Sequence, residues 1–129
     1  MLAVDTNILV RFLTRDEPRQ AARAAALMLH DEIWLSKSVL LETEWVLRSP
    51  YGFEPGKIAA ILLDLVAAAN VRVEDPLAVA LALELFSSGL DFADALHLAS
   101  AGESERFVTF DEKLARRAKG RTTVEVTRI

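Results

Sequence analysis

Four carboxylates occupy positions that solvation alone does not explain: Asp5, Glu42, Asp94 and Asp111. Asp5 opens Asp5-Thr6-Asn7 directly after the apolar Leu2-Ala3-Val4, and Asp111 follows Phe107-Val108-Thr109-Phe110. Both therefore stand at the exit of a short strand, where α/β sheets carry their sites, although either also suits the N-cap of the next helix. At 100° per residue, Glu42 has Trp45, Val46 and Val39 as helical neighbours, an apolar setting that is costly for an unpaired charge. Glu44 instead precedes Arg48 by four residues, the favourable order for a surface ion pair. Asp94 shares a face with His97, Leu98 and Ala101, while Asp91, three residues earlier, makes an imperfect capping box with it. His97 itself reads as a hydrogen-bonded packing residue.

If the fold gathers these acids at one sheet edge, they cannot all stay ionised unassisted. Two carboxylates ~5 Å apart at an effective dielectric of 20 repel by roughly 3 kcal/mol, and four make six such pairs. Either protons stay on or a divalent cation sits among them. An all-oxygen donor set suits Mg²⁺, with Mn²⁺ as an alternative, rather than zinc. The chain has no cysteine and only two histidines, His30 and His97, which excludes disulfide scaffolds, zinc–thiolate sites and cysteine catalysis.

The elements that must position these acids are readable from punctuation and periodicity. Helices are expected over Pro18–His30, Ser38–Ser49, Pro55–Ala69, Pro76–Ser88 and from Asp91 to Gly102, with a helix start at Ile8-Leu9-Val10 and a short helix after Asp111. The apolar runs Met1–Val4, Ile33–Leu35, Val71–Val73, Phe107–Phe110 and Thr123–Val126 are strand candidates. Short apolar strands alternating with helices predict an α/β fold with a central parallel sheet of about five strands and helices on both faces.

At 129 residues and 52% hydrophobic content, one folded domain over residues 1–129 is expected. No apolar run reaches the ~20 residues of a membrane span, and no signal peptide is visible, so a cytoplasmic protein is expected. The net charge of −4 comes from 19 acids and 15 bases; setting the four acids aside leaves 15 of each, so an anionic partner meets no net repulsion. Bases concentrate in Lys113–Arg121, and Arg11, Arg15, Arg19 and Arg23 recur every fourth residue, placing them on one stripe if a single helix carries them. By charge alone, Arg11, Arg15, Arg116 and Arg117 are candidate contacts for a phosphodiester partner.

Together these stretches resemble the PIN-domain ribonucleases, specifically the VapC-type toxins of toxin–antitoxin pairs. The likeness rests on Asp5-Thr6-Asn7-Ile8-Leu9 with Arg11-Phe12-Leu13, Leu41-Glu42-Thr43-Glu44-Trp45-Val46-Leu47-Arg48, Asp91-Phe92-Ala93-Asp94-Ala95-Leu96 and Thr109-Phe110-Asp111, in order along essentially the whole chain. The resemblance implies a PIN-like three-layer sandwich and a metal-dependent endoribonuclease. Its acidic positions fall on Asp5, Glu42, Asp94 and Asp111, with Asn7 and Thr109 supporting them. Asp5 and Asp94 would be the leading metal ligands, and Glu42 and Asp111 would complete the pocket. It also implies water as nucleophile leaving a 5′-phosphate, an antitoxin protein as partner, and a homodimer.

Two rival readings differ in class. An inactive PIN-like module could serve only to dock an antitoxin or another partner protein; the intact acids argue against it. A phosphoaspartate protein also uses a strand-exit aspartate, but its phosphatase form needs a second Asp two residues on, where this chain has Asn7.

Overall fold

A computed structural model describes all residues from Met1 to Ile129. The chain is of the α/β class, and every strand pair is parallel. It divides into two compact units, Met1–Pro76 and Leu77–Ile129.

The first unit runs β1 (Leu2–Ala3), α1 (Thr6–Thr14), α2 (Pro18–His30), β2 (Ile33–Leu35), α3 (Lys37–Arg48), α4 (Pro55–Ala67) and β3 (Val71–Val73). A parallel pair cannot be closed by a tight turn, so helices fill each crossover. The strand order is β1-β2-β3, with Leu2 opposite Ile33 and Leu35 opposite Val73. Ile33 and Leu35 are fully buried in the central strand, in a core that includes Leu9, Leu40, Leu47 and Leu62. Truncating any of these to alanine would cost about 2–5 kcal/mol. Asn70 ties the layers at one end, donating from Nδ2 to the carbonyls of Met28 (2.8 Å) and Asp31 (2.7 Å).

The second unit carries α5 (Pro76–Ser87, beginning at the boundary), α6 (Phe92–Ala99), β4 (Arg106–Thr109), α7 (Glu112–Ala118) and β5 (Glu125–Arg128). β4 and β5 pair from Arg106–Glu125 to Thr109–Arg128, with α7 as the crossover. Phe86 and Phe92 meet edge to face at 5.2 Å between ring centroids. Gly89 joins their helices at φ 110°, a conformation that a side chain would strain.

The five expected strands are present and parallel, but their ladders form a three-stranded and a two-stranded sheet. Two strands lie elsewhere than periodicity predicts. β5 begins at Glu125 rather than Thr123, because the Thr122 hydroxyl donates to the Val124 carbonyl (2.8 Å) and holds that stretch as a turn. β4 ends at Thr109, which leaves Phe110 outside the ladder and 81% exposed.

The four-arginine stripe is not formed. Arg15 ends α1 in the left-handed region at φ 56°, and Glu17 caps a new helix that begins at Pro18. Proline suits a first helical turn but not a helix interior. Arg11 thus belongs to α1, Arg19 and Arg23 to α2, and Arg15 to the corner between them. No helix is long and apolar enough to cross a membrane.

Candidate functional site

Three of the acids are positioned by the same local device. Asp5 Oδ1 accepts the Ile8 N–H at 3.1 Å and caps α1; Asp111 Oδ1 accepts the Leu114 N–H at 3.0 Å and caps α7; Asp91 Oδ2 accepts the Asp94 N–H at 3.2 Å and caps α6. Such caps contribute about 1 kcal/mol each. In each case only one carboxylate oxygen is used, so the other remains available to a cation. The capping reading and the site reading of Asp5 and Asp111 are therefore compatible.

In the second unit, Asp91, Asp94 and Asp111 line one cavity of about 200 Å³ together with Lys113 and Arg117. Burial pushes the Asp94 carboxyl above the usual carboxylate range, and the negative charges of Asp91 and then Asp111 push it further, against a smaller opposing pull from His97. Asp91, read in the sequence as part of a capping box, caps α6 and also lines this cavity. Thr109 supports this site directly: its hydroxyl accepts the Asp111 N–H at 3.0 Å, which turns the chain out of β4 and sets the cap. Arg117 donates to the Gly89 carbonyl at 3.2 Å, and Arg116 is exposed.

In the first unit, Asp5 and Asn7 line a cavity of about 420 Å³ with Arg11, Gln20 and Arg23. Arg11 is held in place there, its Nε donating to Gln20 (2.7 Å) and its terminal nitrogen to Asp16 and Tyr51 (both 3.3 Å). The Tyr51 hydroxyl also donates to Asp16, and this bond is the main cause that holds the Asp16 carboxyl below its ordinary range. Arg15 is not a wall of the cavity, whereas Gln20 and Arg23 are. The signal that could have found them is the spacing within the expected Pro18–His30 helix, where positions 20, 23, 24 and 27 make one face.

Glu42 and Glu44 exchange the surroundings that the helical wheel assigns them. Glu42 is exposed, as is Trp45 beside it. Glu44 is 2% exposed and accepts from Arg48 Nε at 2.8 Å. The predicted ion pair exists, but its acid is buried. The apolar-face argument for Glu42 fails on burial, and Glu42 does not line the Asp5 cavity.

By chemistry the donors suit a hard divalent cation. In the second unit they are all oxygens, the Asp91 and Asp111 caps each keep a free oxygen, and at Asp94 the charges of Asp91 and Asp111 outweigh the opposing pull of His97. No three Asp, Glu or His side chains are grouped closely enough to hold an ion.

A PIN-domain family model matches residues 2–120. The chain belongs to the PIN-domain family. No curated protein matches it. The PIN-domain match takes in Asp5, Glu42, Asp94 and Asp111, and family membership accords with the strand-exit acids and the parallel α/β architecture.

Proposed function

We propose that this PIN-domain protein is a metal-dependent endoribonuclease, the toxin of a VapBC-type toxin–antitoxin pair, working as one domain over its length. The observation that carries the reading is that Asp91, Asp94 and Asp111 line one cavity, where burial and the two neighbouring charges push the Asp94 carboxyl up. Acids that raise one another's pKa in a shared cavity are a poor structural device and a good cation seat.

In this reading Asp5 and Asp94 would be the leading ligands of Mg²⁺, or of Mn²⁺ in its place, with Glu42 and Asp111 as the further acids, each contributing from its own unit. A cation held by these acids would supply polarisation of the phosphoryl oxygen and a lowered pKa for the attacking water. Thr109 keeps Asp111 in register, and Asn7 lies beside Asp5. Water as nucleophile would leave a 5′-phosphate and a 3′-hydroxyl. Arg116 and Arg117 supply phosphate contacts, which give affinity without sequence information. A small antitoxin protein is the partner that would restrain the activity, and the toxin would pair as a homodimer.

The test is cleavage of a defined RNA by the purified chain. Mg²⁺ or Mn²⁺ should support it, EDTA should stop it, and Asp5→Asn or Asp94→Asn should lower it at least ~100-fold with circular dichroism unchanged. Cleavage that survives chelation and both substitutions overturns the assignment.

A further inference from the structure

The cavity between α1 and α2 has features that a cation seat alone does not require. One wall comes from Asp5, Asn7 and Arg11, the other from Gln20 and Arg23 on successive turns of α2. The two arginines differ in their commitments. Arg11 is fixed by Gln20, Asp16 and Tyr51, and its charge is already answered by Asp16 at 3.3 Å. Arg23 is exposed and makes no hydrogen bond or ion pair, although a carboxylate, Asp5, lines the same cavity. A guanidinium presents five donors in a planar fork that matches a phosphate. A free fork, a neighbouring guanidinium pinned in place, and the amides of Asn7 and Gln20 form a pocket for a phosphodiester and its ribose.

We propose that this α1–α2 groove grips the RNA phosphate adjacent to the scissile one, with Arg23 as the free cationic contact and Arg11 as the pre-set one. The inference deepens the ribonuclease reading and rests on it in one respect, that Asp5 marks the cutting site. Tyr51 and Asp16 are positioning residues here. They act by holding the Arg11 guanidinium in the groove before RNA arrives, so its ordering is not charged to binding.

Binding is measured separately from cutting, by fluorescence anisotropy of a labelled single-stranded RNA with the full chain in EDTA, over a range of KCl concentrations. Arg23→Gln should weaken binding several-fold and lower the slope of log K against log [salt] by about 0.7, the value for one phosphate contact on a single strand. Arg23→Lys should restore the slope but only part of the affinity. Tyr51→Phe should weaken binding without changing the slope. Arg19→Gln removes the same charge from the same helix outside the groove and should change neither. Equal slopes for Arg23→Gln and wild type, or an equal effect from Arg19→Gln, overturns the proposal. Cleavage by wild type with Mg²⁺ tests the ribonuclease reading on its own. A groove that fails in an active enzyme refutes the groove alone, and slope loss in an inactive chain refutes the enzyme alone.

Discussion

Glu44 and Arg48 form an ion pair of unequal burial: the carboxylate is 2% exposed, while the guanidinium side chain is 44% exposed. The acid has given up its water and depends on a partner that has not. Removing Arg48 leaves a buried, unanswered charge, and removing the acid leaves a polar-sized gap beside Leu40 and Leu47, which are fully buried on the same helix. Glu44→Ala should therefore destabilise the fold by about 2–3 kcal/mol, discounted from the fully buried case for the exposed arginine. Glu42→Gln, at an exposed position two residues away, should leave stability within about 0.5 kcal/mol and lower RNA cleavage. Urea denaturation and a cleavage assay on both variants separate the two acids. A Glu42→Gln enzyme of full activity removes Glu42 from the site.

The raised Asp94 pKa makes a signed prediction. An acid that holds its proton more tightly folded than unfolded lets the native state bind more protons between the two pKa values, so stability falls as pH rises through that window. The window begins at the ordinary Asp value of 3.8 and extends upward to the raised native value. Ionised Asp94 thus costs the metal-free protein stability at neutral pH. Asp94→Asn should melt higher than wild type at pH 7 in EDTA, and the gain should vanish below the ordinary Asp pKa, where both side chains are neutral. Added Mg²⁺ should raise the wild-type melting temperature and not that of Asp94→Asn. An Asn variant that melts lower at pH 7 would mean that the Asp94 charge is structural.

What could be read from sequence followed the range of the forces involved. The caps at Asp5, Asp91 and Asp111 were legible because capping involves only four consecutive residues. The alternation of strands and helices was legible because each element advertises its own period. The Arg11–Arg23 stripe was misread by counting fours across Pro18, a residue that opens helices rather than continuing them. The Glu42 and Glu44 surroundings were inverted for a different reason. A wheel assumes that apolar neighbours mean burial, yet Trp45 lies 51% exposed and Glu44 is buried although its partner Arg48 is exposed. Burial of that kind is decided by what packs on the helix, and no local pattern records it. Gln20 and Arg23 were missed as site residues because their relation to Asp5 is made by the packing of α2 on α1.

Arg15 pays a backbone cost that glycine would not. It closes α1 at φ 56° and ψ 24°, its N–H donating to the Arg11 carbonyl at 3.0 Å. A left-handed residue with a side chain is strained by roughly 1 kcal/mol relative to glycine at such a helix end. Arg15→Gly should therefore raise stability by up to about 1 kcal/mol, less the entropy that glycine adds to the unfolded chain. The measurement is the midpoint of chemical denaturation. A clear loss of stability would show that the Arg15 side chain does something for the fold beyond ending the helix.

Thr109 offers the sharpest separation of support from chemistry. Its hydroxyl accepts the Asp111 N–H, and Asp111 in turn caps α7 through Leu114 N. Thr109→Val keeps the shape and β-branching of the strand residue but removes the acceptor, so the Asp111 backbone loses its tether while the carboxylate remains. Groups that orient a ligating side chain typically contribute 10–100-fold to affinity or rate. Thr109→Val should lower kcat for RNA cleavage about tenfold with little change in KM, because the proposed phosphate contacts lie at other residues, and it should raise the Mg²⁺ concentration needed for half-maximal rate. Thr109→Ser, which restores the hydroxyl, should recover most of the loss. A Val variant with unchanged kcat and metal dependence would mean that Asp111 is held by its cap alone. A rise in KM with kcat intact would place Thr109 against the RNA rather than behind the acid.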